Sequence, residues 1–293
     1  VHGMMKTIPY YPGCTLKTTA KGFEETAIAV CGALGIELKE MENWYCCGTV
    51  HSLAFDDLIH HLAPIRNLLR VKAAGNDRVL TLCSMCFNTL KRADTIIAED
   101  ADKRRKIQSI MDREEIIYDG GEVKVLHLLE LLRDEVGLDA VKEKVTTELK
   151  GLKVAPYYGC MLLRPKEIGL DDSENPVVFE DLLRALGAEA IDFPWKAECC
   201  GSYLTVDNAD IVAIRTREII NSAARRGAEA LATSCPLCFF NLDKRQELAG
   251  DTRMPVFYFT ELMAIAFGLD AERYDLHYVD PRPLLQQFFR RKN

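Results

Sequence analysis

Ten of the eleven cysteines fall into two sets of five with one internal order. The first set is Cys14, the pair Cys46-Cys47 followed by Gly48, and Cys83-Ser84-Met85-Cys86. The second is Cys160, the pair Cys199-Cys200 followed by Gly201, and Cys235-Pro236-Leu237-Cys238. The intervening stretches are 31, 35 and 2 residues long in the first set and 38, 34 and 2 in the second. Thiolates are soft ligands, suited to zinc and to iron–sulfur clusters. A structural zinc takes four of them and a cubane cluster takes four cysteines. Five per set therefore point to a cluster larger or more open than a cubane. Zinc in one half and the reduced thiols of a redox sensor are the alternatives. Neighbouring side chains on an extended chain point opposite ways, so Cys46-Cys47 and Cys199-Cys200 can both face a ligand only if the backbone bends at Gly48 and Gly201.

The elements that must position these thiols also repeat. Ile8-Pro9-Tyr10-Tyr11 reads as a strand ending near Cys14, and Val154-Ala155-Pro156-Tyr157 as its echo before Cys160. An apolar stripe through Phe23, Ala27, Val30 and Leu34 predicts a helix closed by Gly35, and it places Cys31 in the core. Ile36–Leu38 reads as a second strand. Leu58, Leu62, Ile65 and Leu69 form a further helical stripe, with a kink or restart expected at Pro64. Val79–Leu82 is a strand ending on Cys83, and residues 87–117 read as a charged helix with a solvated face. Val123–Leu126 is a strand and Leu128–Val136 a helix, while residues 138–152 carry the chain across. In the second copy, Val178–Leu186 and residues 209–226 predict helices, Ala230–Thr233 a strand before Cys235, and Val256–Phe259 a strand before the helix Glu261–Phe267. Short strands alternating with helices imply α/β architecture: two pseudo-symmetric domains, residues 1–145 and 146–293, each a small parallel sheet flanked by helices. Ligands of such sheets gather at the carboxyl ends of the strands, where the cysteines fall.

Charge and composition narrow the partners. A formal charge of −7 and a pI near 5.5 argue against a nucleic-acid backbone or an anionic membrane surface. No apolar run reaches the roughly 18–20 residues of a membrane span, and no secretory leader is seen. A cytoplasmic chain with reduced, ligating cysteines is expected. Glycine-rich dinucleotide loops and P-loops are missing from the sequence, so flavin and nicotinamide chemistry would belong to other subunits.

The duplicated single, paired and C-x-x-C order resembles the B subunit of heterodisulfide reductase, over nearly the whole chain. The resemblance implies two non-cubane [4Fe-4S] clusters. One would be bound by Cys14, Cys46, Cys47, Cys83 and Cys86, and the other by Cys160, Cys199, Cys200, Cys235 and Cys238. It also implies partners, a small iron–sulfur protein (the C subunit) fed by a flavin-containing one (the A subunit). The implied reaction is reductive cleavage of the coenzyme M–coenzyme B disulfide, or an analogue, to two thiols between the clusters. Similar repeats occur in lactate-, glycolate- and succinate-oxidising complexes, where the expected role is to pass electrons towards quinone. A zinc-stabilised scaffold is the non-redox alternative.

Further residues carry weaker expectations. His51 is a candidate proton donor for a departing thiolate. Lys17, Arg164 and Lys166 could meet an anionic substrate, and His60-His61 beside Asp56-Asp57 could meet a metal, although adjacent helix positions face different ways. The apolar, then basic tail Leu284–Arg291 could dock a partner or cover the domain's own edge.

Overall fold

The computed structural model describes residues 5–49, 58–249, 252–270 and 273–292. Two four-stranded, all-parallel sheets carry the chain, one in each half. The first contains β1 (Lys6–Tyr11), β2 (Ile36–Glu40), β3 (Arg78–Thr81) and β4 (Lys124–His127), in the order β2-β1-β3-β4. The second contains β5 (Lys153–Tyr157), β6 (Glu189–Ala190), β7 (Ala230–Thr233) and β8 (Val256–Tyr258), in the matching order β6-β5-β7-β8. The central strands are almost wholly apolar, as expected for strands covered on both faces; all four residues of β7 are buried.

Helices flank both sheets. In the first half these are α1 (Lys21–Ala33), α2 (Leu62–Ala73), α3 (Ser84–Glu99), α4 (Ala101–Ile110), a short α5 (Leu128–Leu131) extended by a π-turn to Val136, and α6 (Leu138–Glu143). In the second they are α7 (Val178–Ala185), α8 (Ala209–Arg225), α9 (Pro236–Lys244), α10 (Gln246–Ala249), α11 (Phe259–Phe267) and α12 (Arg282–Lys292). The expected helix over 87–117 is two helices, because Asp100 leaves helical geometry and its carboxylate caps the N–H groups of Asp102 and Lys103. The restart expected near Pro64 is present: a 3-10 turn (Leu58–His61) gives way to α2 at Leu62, and Pro64 sits in the first turn of α2, where its missing N–H costs nothing.

The halves meet along one buried seam. Helix α1 packs on α11, with Phe23 stacked on Tyr258 at 4.2 Å between ring centroids and edge-on to Phe259. The hydroxyls of Thr26 and Thr260 lie 2.7 Å apart within this contact. Deeper in, Ser84 and Ser234 join their hydroxyls at 2.8 Å, and Ser84 N–H donates to the Ser234 carbonyl at 3.3 Å.

The tail covers its own domain: Leu285 and Phe288 are buried, and Arg291 pairs with Glu229. The segment leading into it is held by a buried polar clasp. His277 Nε2 meets the Glu261 carboxylate at 3.0 Å, and the Asp243 carboxylate accepts the N–H groups of Tyr278 at 2.6 Å and Val279 at 3.4 Å. Burial pushes Asp243 up to about 6, against opposition from those N–H donors. Burial works to lower His277, yet Glu261 beside it leaves the imidazole above its ordinary value. A carboxyl raised in the folded state binds more protons there than in the unfolded chain. Its favourable contribution is therefore complete below the ordinary carboxyl range and is lost as pH rises towards 6. Wild type should lose more unfolding free energy than Asp243→Asn between pH 4 and pH 6, by about 1.4 kcal/mol per unit of Asp243 shift. Parallel slopes in denaturant titrations of the two proteins would refute the clasp's role.

Candidate thiol-ligand site

Each thiol set assembles at the carboxyl end of its sheet. Cys14 follows β1 by three residues and Cys83 follows β3 by two; Cys160 and Cys235 stand in the same relation to β5 and β7. Cys83 and Cys235 are the N-caps of α3 and α9. The paired cysteines do not end strands. Cys46-Cys47 sits six residues beyond β2 and Cys199-Cys200 lies well past β6, in loops that return across the strand ends. Both pairs are turned inward by the glycine that follows. Gly48 and Gly201 have φ of +69° and +82°, and their N–H groups approach Cys46 Sγ at 3.5 Å and Cys199 Sγ at 3.3 Å. This is the bend that the adjacent cysteines required.

All eleven cysteines are free thiols. The sulfurs of Cys14 and Cys46 are 3.7 Å apart, those of Cys47 and Cys86 3.6 Å, and those of Cys200 and Cys238 3.5 Å. Side-chain interactions extend each set from Cys46 to Cys47 and Cys86 to Cys83, and from Cys199 to both Cys160 and Cys200 and Cys238 to Cys235. Cys83 and Cys235 lie next to the Ser84–Ser234 bond that crosses the seam. Each quintet is a string of thiols, buried at its inner end and opening outward at Cys14 and Cys46 in one half and at Cys160 and Cys199 in the other. Cys31 is not part of it; it lies fully buried on α1, where burial pushes its thiol up to about 12.

Charge is uneven along each string: Cys46, Cys83 and Cys199 are held down, and the other ligand thiols are pushed up. Cys14, then Cys47, and the Gly48 N–H hold Cys46 down to about 2. Cys160, then Cys200, and the N–H groups of Gly201 and Ser202 hold Cys199 down to about 2. The neighbouring thiolate and burial push Cys47 and Cys200 up to about 12. Five thiolates in such a volume need a compensating cation, and bound metal supplies one. Two thiolates on one tetrahedral metal with bonds of about 2.3 Å stand roughly 3.8 Å apart, close to the sulfur pairs seen here. Among the described residues no three His, Cys, Asp or Glu side chains group around a single ion. Pairs spread over several metals are what a multinuclear cluster asks for, and the donor set fits one.

Several positioning residues carried no signal of their own in the sequence. Tyr11 and Tyr157 place their rings beside Gly13 and Gly159, the turns that also approach Cys86 and Cys238, and their hydroxyls donate to the carbonyls of Tyr45 and Glu198 at 2.7 and 2.6 Å. Each phenol thereby ties down the loop immediately ahead of a cysteine pair. The repeated Tyr-x-Gly-Cys was the legible clue. His127 is fully buried and held neutral, near 3, by burial. Its Nδ1 accepts the Leu129 N–H, so Nε2 carries the proton and donates to the Leu82 carbonyl at 2.8 Å, directly before Cys83. Asn241 Nδ2 approaches Cys200 Sγ at 3.5 Å.

The weaker candidates separate. His51, Asp56 and Asp57 lie outside the described residues. Lys17 is taken up by Glu24 at 2.7 Å and Glu40 at 2.6 Å. Arg164 is engaged by Glu174 and by the carbonyls of Ala197 and Ser173, and Lys166 is an exposed loop residue. His61 is buried and His60 partly so. Among the described residues no helix is long and apolar enough to cross a membrane.

Comparison with known proteins agrees with this arrangement. Residues 8–91 and 154–243 each match the family described as "CCG: Cysteine-rich domain". The chain is 35% identical to the 8-methylmenaquinol:fumarate reductase membrane anchor subunit of Wolinella succinogenes, over 94% of this chain and 97% of that protein. It is 29% identical to a protein of Archaeoglobus profundus named for its likeness to the heterodisulfide reductase B subunit, over 92% and 93%. It is 27% identical to the B subunit of the ferredoxin:CoB-CoM heterodisulfide reductase of Methanosarcina mazei, over 92% of each. A crystal structure of a hypothetical protein from Helicobacter pylori shares the fold at TM-score 0.71 and 13% identity, covering 94% of this chain and 52% of that one. The chain therefore belongs to the CCG cysteine-rich domain family and carries two copies of the domain, one around each thiol quintet.

Proposed function

We propose that this chain is the two-site iron–sulfur component of a multi-subunit oxidoreductase, and that it reductively cleaves a small disulfide to two thiols. Membership of the family and the heterodisulfide reductase relatives support iron–sulfur ligation and electron transfer. The finer assignment is ours: Cys14, Cys46, Cys47, Cys83 and Cys86 hold one non-cubane [4Fe-4S] cluster, and Cys160, Cys199, Cys200, Cys235 and Cys238 hold the other. The domains divide at residues 145 and 146, since Thr146 and Thr147 already donate to the Ala266 carbonyl of the second half. The proposed partners are a small iron–sulfur protein and a flavin-containing one, the counterparts of the C and A subunits of heterodisulfide reductase, in the cytoplasm.

The observation that carries the reading is the Ser84–Ser234 bond, which sets their chain neighbours Cys83 and Cys235 at one buried seam. Clusters exchange electrons singly, whereas breaking a sulfur–sulfur bond takes two, so a paired arrangement suits the chemistry. The chain's own residues hold the pair in register: Ser84 and Ser234 bond each other beside the inner thiols, Tyr11 and Tyr157 anchor the outer loops, and the buried seam excludes water. His51 stands as the proposed proton donor to a departing thiolate.

A second reading, electron transfer towards a quinone, is favoured by the relative that is 35% identical. One anaerobic preparation separates them. Stoichiometric thiol release from coenzyme M–coenzyme B disulfide or a simple analogue, driven by a low-potential donor, supports the first. Full iron and sulfide with no thiol release, but reoxidation of the reduced protein by a quinone, refutes the first and supports the second. Bound zinc without sulfide defeats both.

A further inference from the structure

The two thiol sets are not enclosed alike. Cys14 and Cys46 are exposed, whereas their counterparts Cys160 and Cys199 are only partly so. Reduction adds negative charge to a thiolate-ligated centre, and a less solvated centre resists it, so burial by itself sets the second site at the lower potential. One side chain works the other way. Asn241, fully buried on α9, turns Nδ2 to Cys200 Sγ at 3.5 Å. The Thr205 hydroxyl donates to Asn241 Oδ1 at 2.9 Å, which fixes the end of the amide that faces the sulfur. Both partners are held in place: the Thr205 carbonyl accepts from Arg245 Nη2 at 3.1 Å, and the Asn241 carbonyl accepts from the Thr216 hydroxyl at 3.1 Å. Asparagine is a poor helix former, and a buried amide is costly unless its groups are bonded. Neither propensity nor packing accounts for it here.

The duplication supplies the comparison. Asn241 is the third residue after Cys238, and the third after Cys86 is Thr89. Thr89 is also buried, on α3. A threonine side chain has no N–H to give, and its hydroxyl donates to the Met85 carbonyl at 2.8 Å within its own helix. The rest of the surroundings match. Cys47 and Cys86 are 3.6 Å apart where Cys200 and Cys238 are 3.5 Å apart, and the Gly48 and Gly201 N–H groups serve the two sets alike.

We propose that Asn241 is a positioning residue that acts through Cys200 to raise the reduction potential of the second site towards that of the more exposed first. An N–H given to a ligand sulfur stabilises the charge added on reduction. Matching suits the disulfide cleavage proposed above, on which this role rests. One disulfide takes two electrons and two protons to give two thiols, and an iron–sulfur donor delivers the electrons singly, so both sites must be reducible by the same carrier.

The test is a potentiometric titration of the anaerobic holoprotein followed by electron paramagnetic resonance. Asn241→Leu should move one of the two reduction waves to lower potential, by at least tenfold in the equilibrium, about 59 mV for one electron. The other wave, and the iron and sulfide content, should stay as in the wild type. Two waves that both stay put, that move together, or of which one moves upward overturn the role. If Asn241→Leu loads less iron, Thr205→Val takes its place, since it keeps the amide but frees its orientation. One wave moving down in that variant supports the role, and two unmoved waves overturn it. Full iron and sulfide with an Asn241-dependent wave, but no thiol release from a disulfide, sinks the cleavage reading and leaves the tuning in place.

Discussion

Cys83→Ser should purify with roughly half the iron and acid-labile sulfide of the wild type, and Cys235→Ser should do the same. Serine keeps the shape of the side chain but replaces a soft thiolate with a hydroxyl, a poor ligand for iron. The choice of these two residues follows from the string of thiols. Each is buried, and each adjoins a serine of the Ser84–Ser234 bond across the seam. Loss of about half the iron in either variant means that the quintets load independently. Thiol release from a disulfide should fall at least a hundredfold in both, because a single remaining centre cannot share the two-electron step. Iron analysis with anaerobic activity measurement decides it: unchanged iron in both variants would remove these residues from the ligand set.

Gly13→Ala should be as damaging as loss of a ligand, although the residue carries no side chain. Its φ is +72°, and a Cβ placed there would stand 2.8 Å from Cys86 Sγ. The left-handed conformation alone costs a non-glycine residue about 1–2 kcal/mol. The clash adds to that and falls on a sulfur that must keep its place. The matching Gly159 has φ of +65°, but its Cβ would meet Cys238 Sγ at 3.2 Å, a contact that a small shift relieves. Gly13→Ala should therefore lose about half its iron, whereas Gly159→Ala should load nearly fully and show mainly the backbone cost in a denaturant melt. Equal iron in the two variants would mean that the close approach of this turn to the thiols does not govern loading.

Much of this was readable from residue order. The central strands are short apolar runs ending on or just before a cysteine, and the predicted strands before Cys14, Cys83, Cys160 and Cys235 are present. The bend at Gly48 and Gly201 followed from the geometry of adjacent side chains and is present in both halves. Other features were hidden. Tyr11 and Tyr157 read as ordinary strand residues, since nothing local shows that a phenol will reach a carbonyl 34 or 41 positions away. His127 looked like one more residue of an apolar strand, because its partner, the Leu82 carbonyl, is a backbone atom just past the end of a different strand. The charged stretch after Cys86 read as one helix, since the cap at Asp100 depends on the backbone conformation of that single residue.

The chain's own letters determined which atoms can ligate, how many there are in each half, and that the unit was used twice, because spacing along a backbone is a local property. Only folding decided that the two quintets face one seam. The Ser84–Ser234 bond joins residues 150 positions apart, and it exists because α1 and α11 bury their aromatic faces against each other. Folding alone also made the halves unequal: Arg70 stacks on Tyr45 ahead of the first cysteine pair, whereas Arg215 is spent on Glu218, Glu198 and the Cys199 carbonyl at the second. Burial and contact between distant segments are set by how helices pack on sheets, and no pattern of neighbours in sequence encodes that directly.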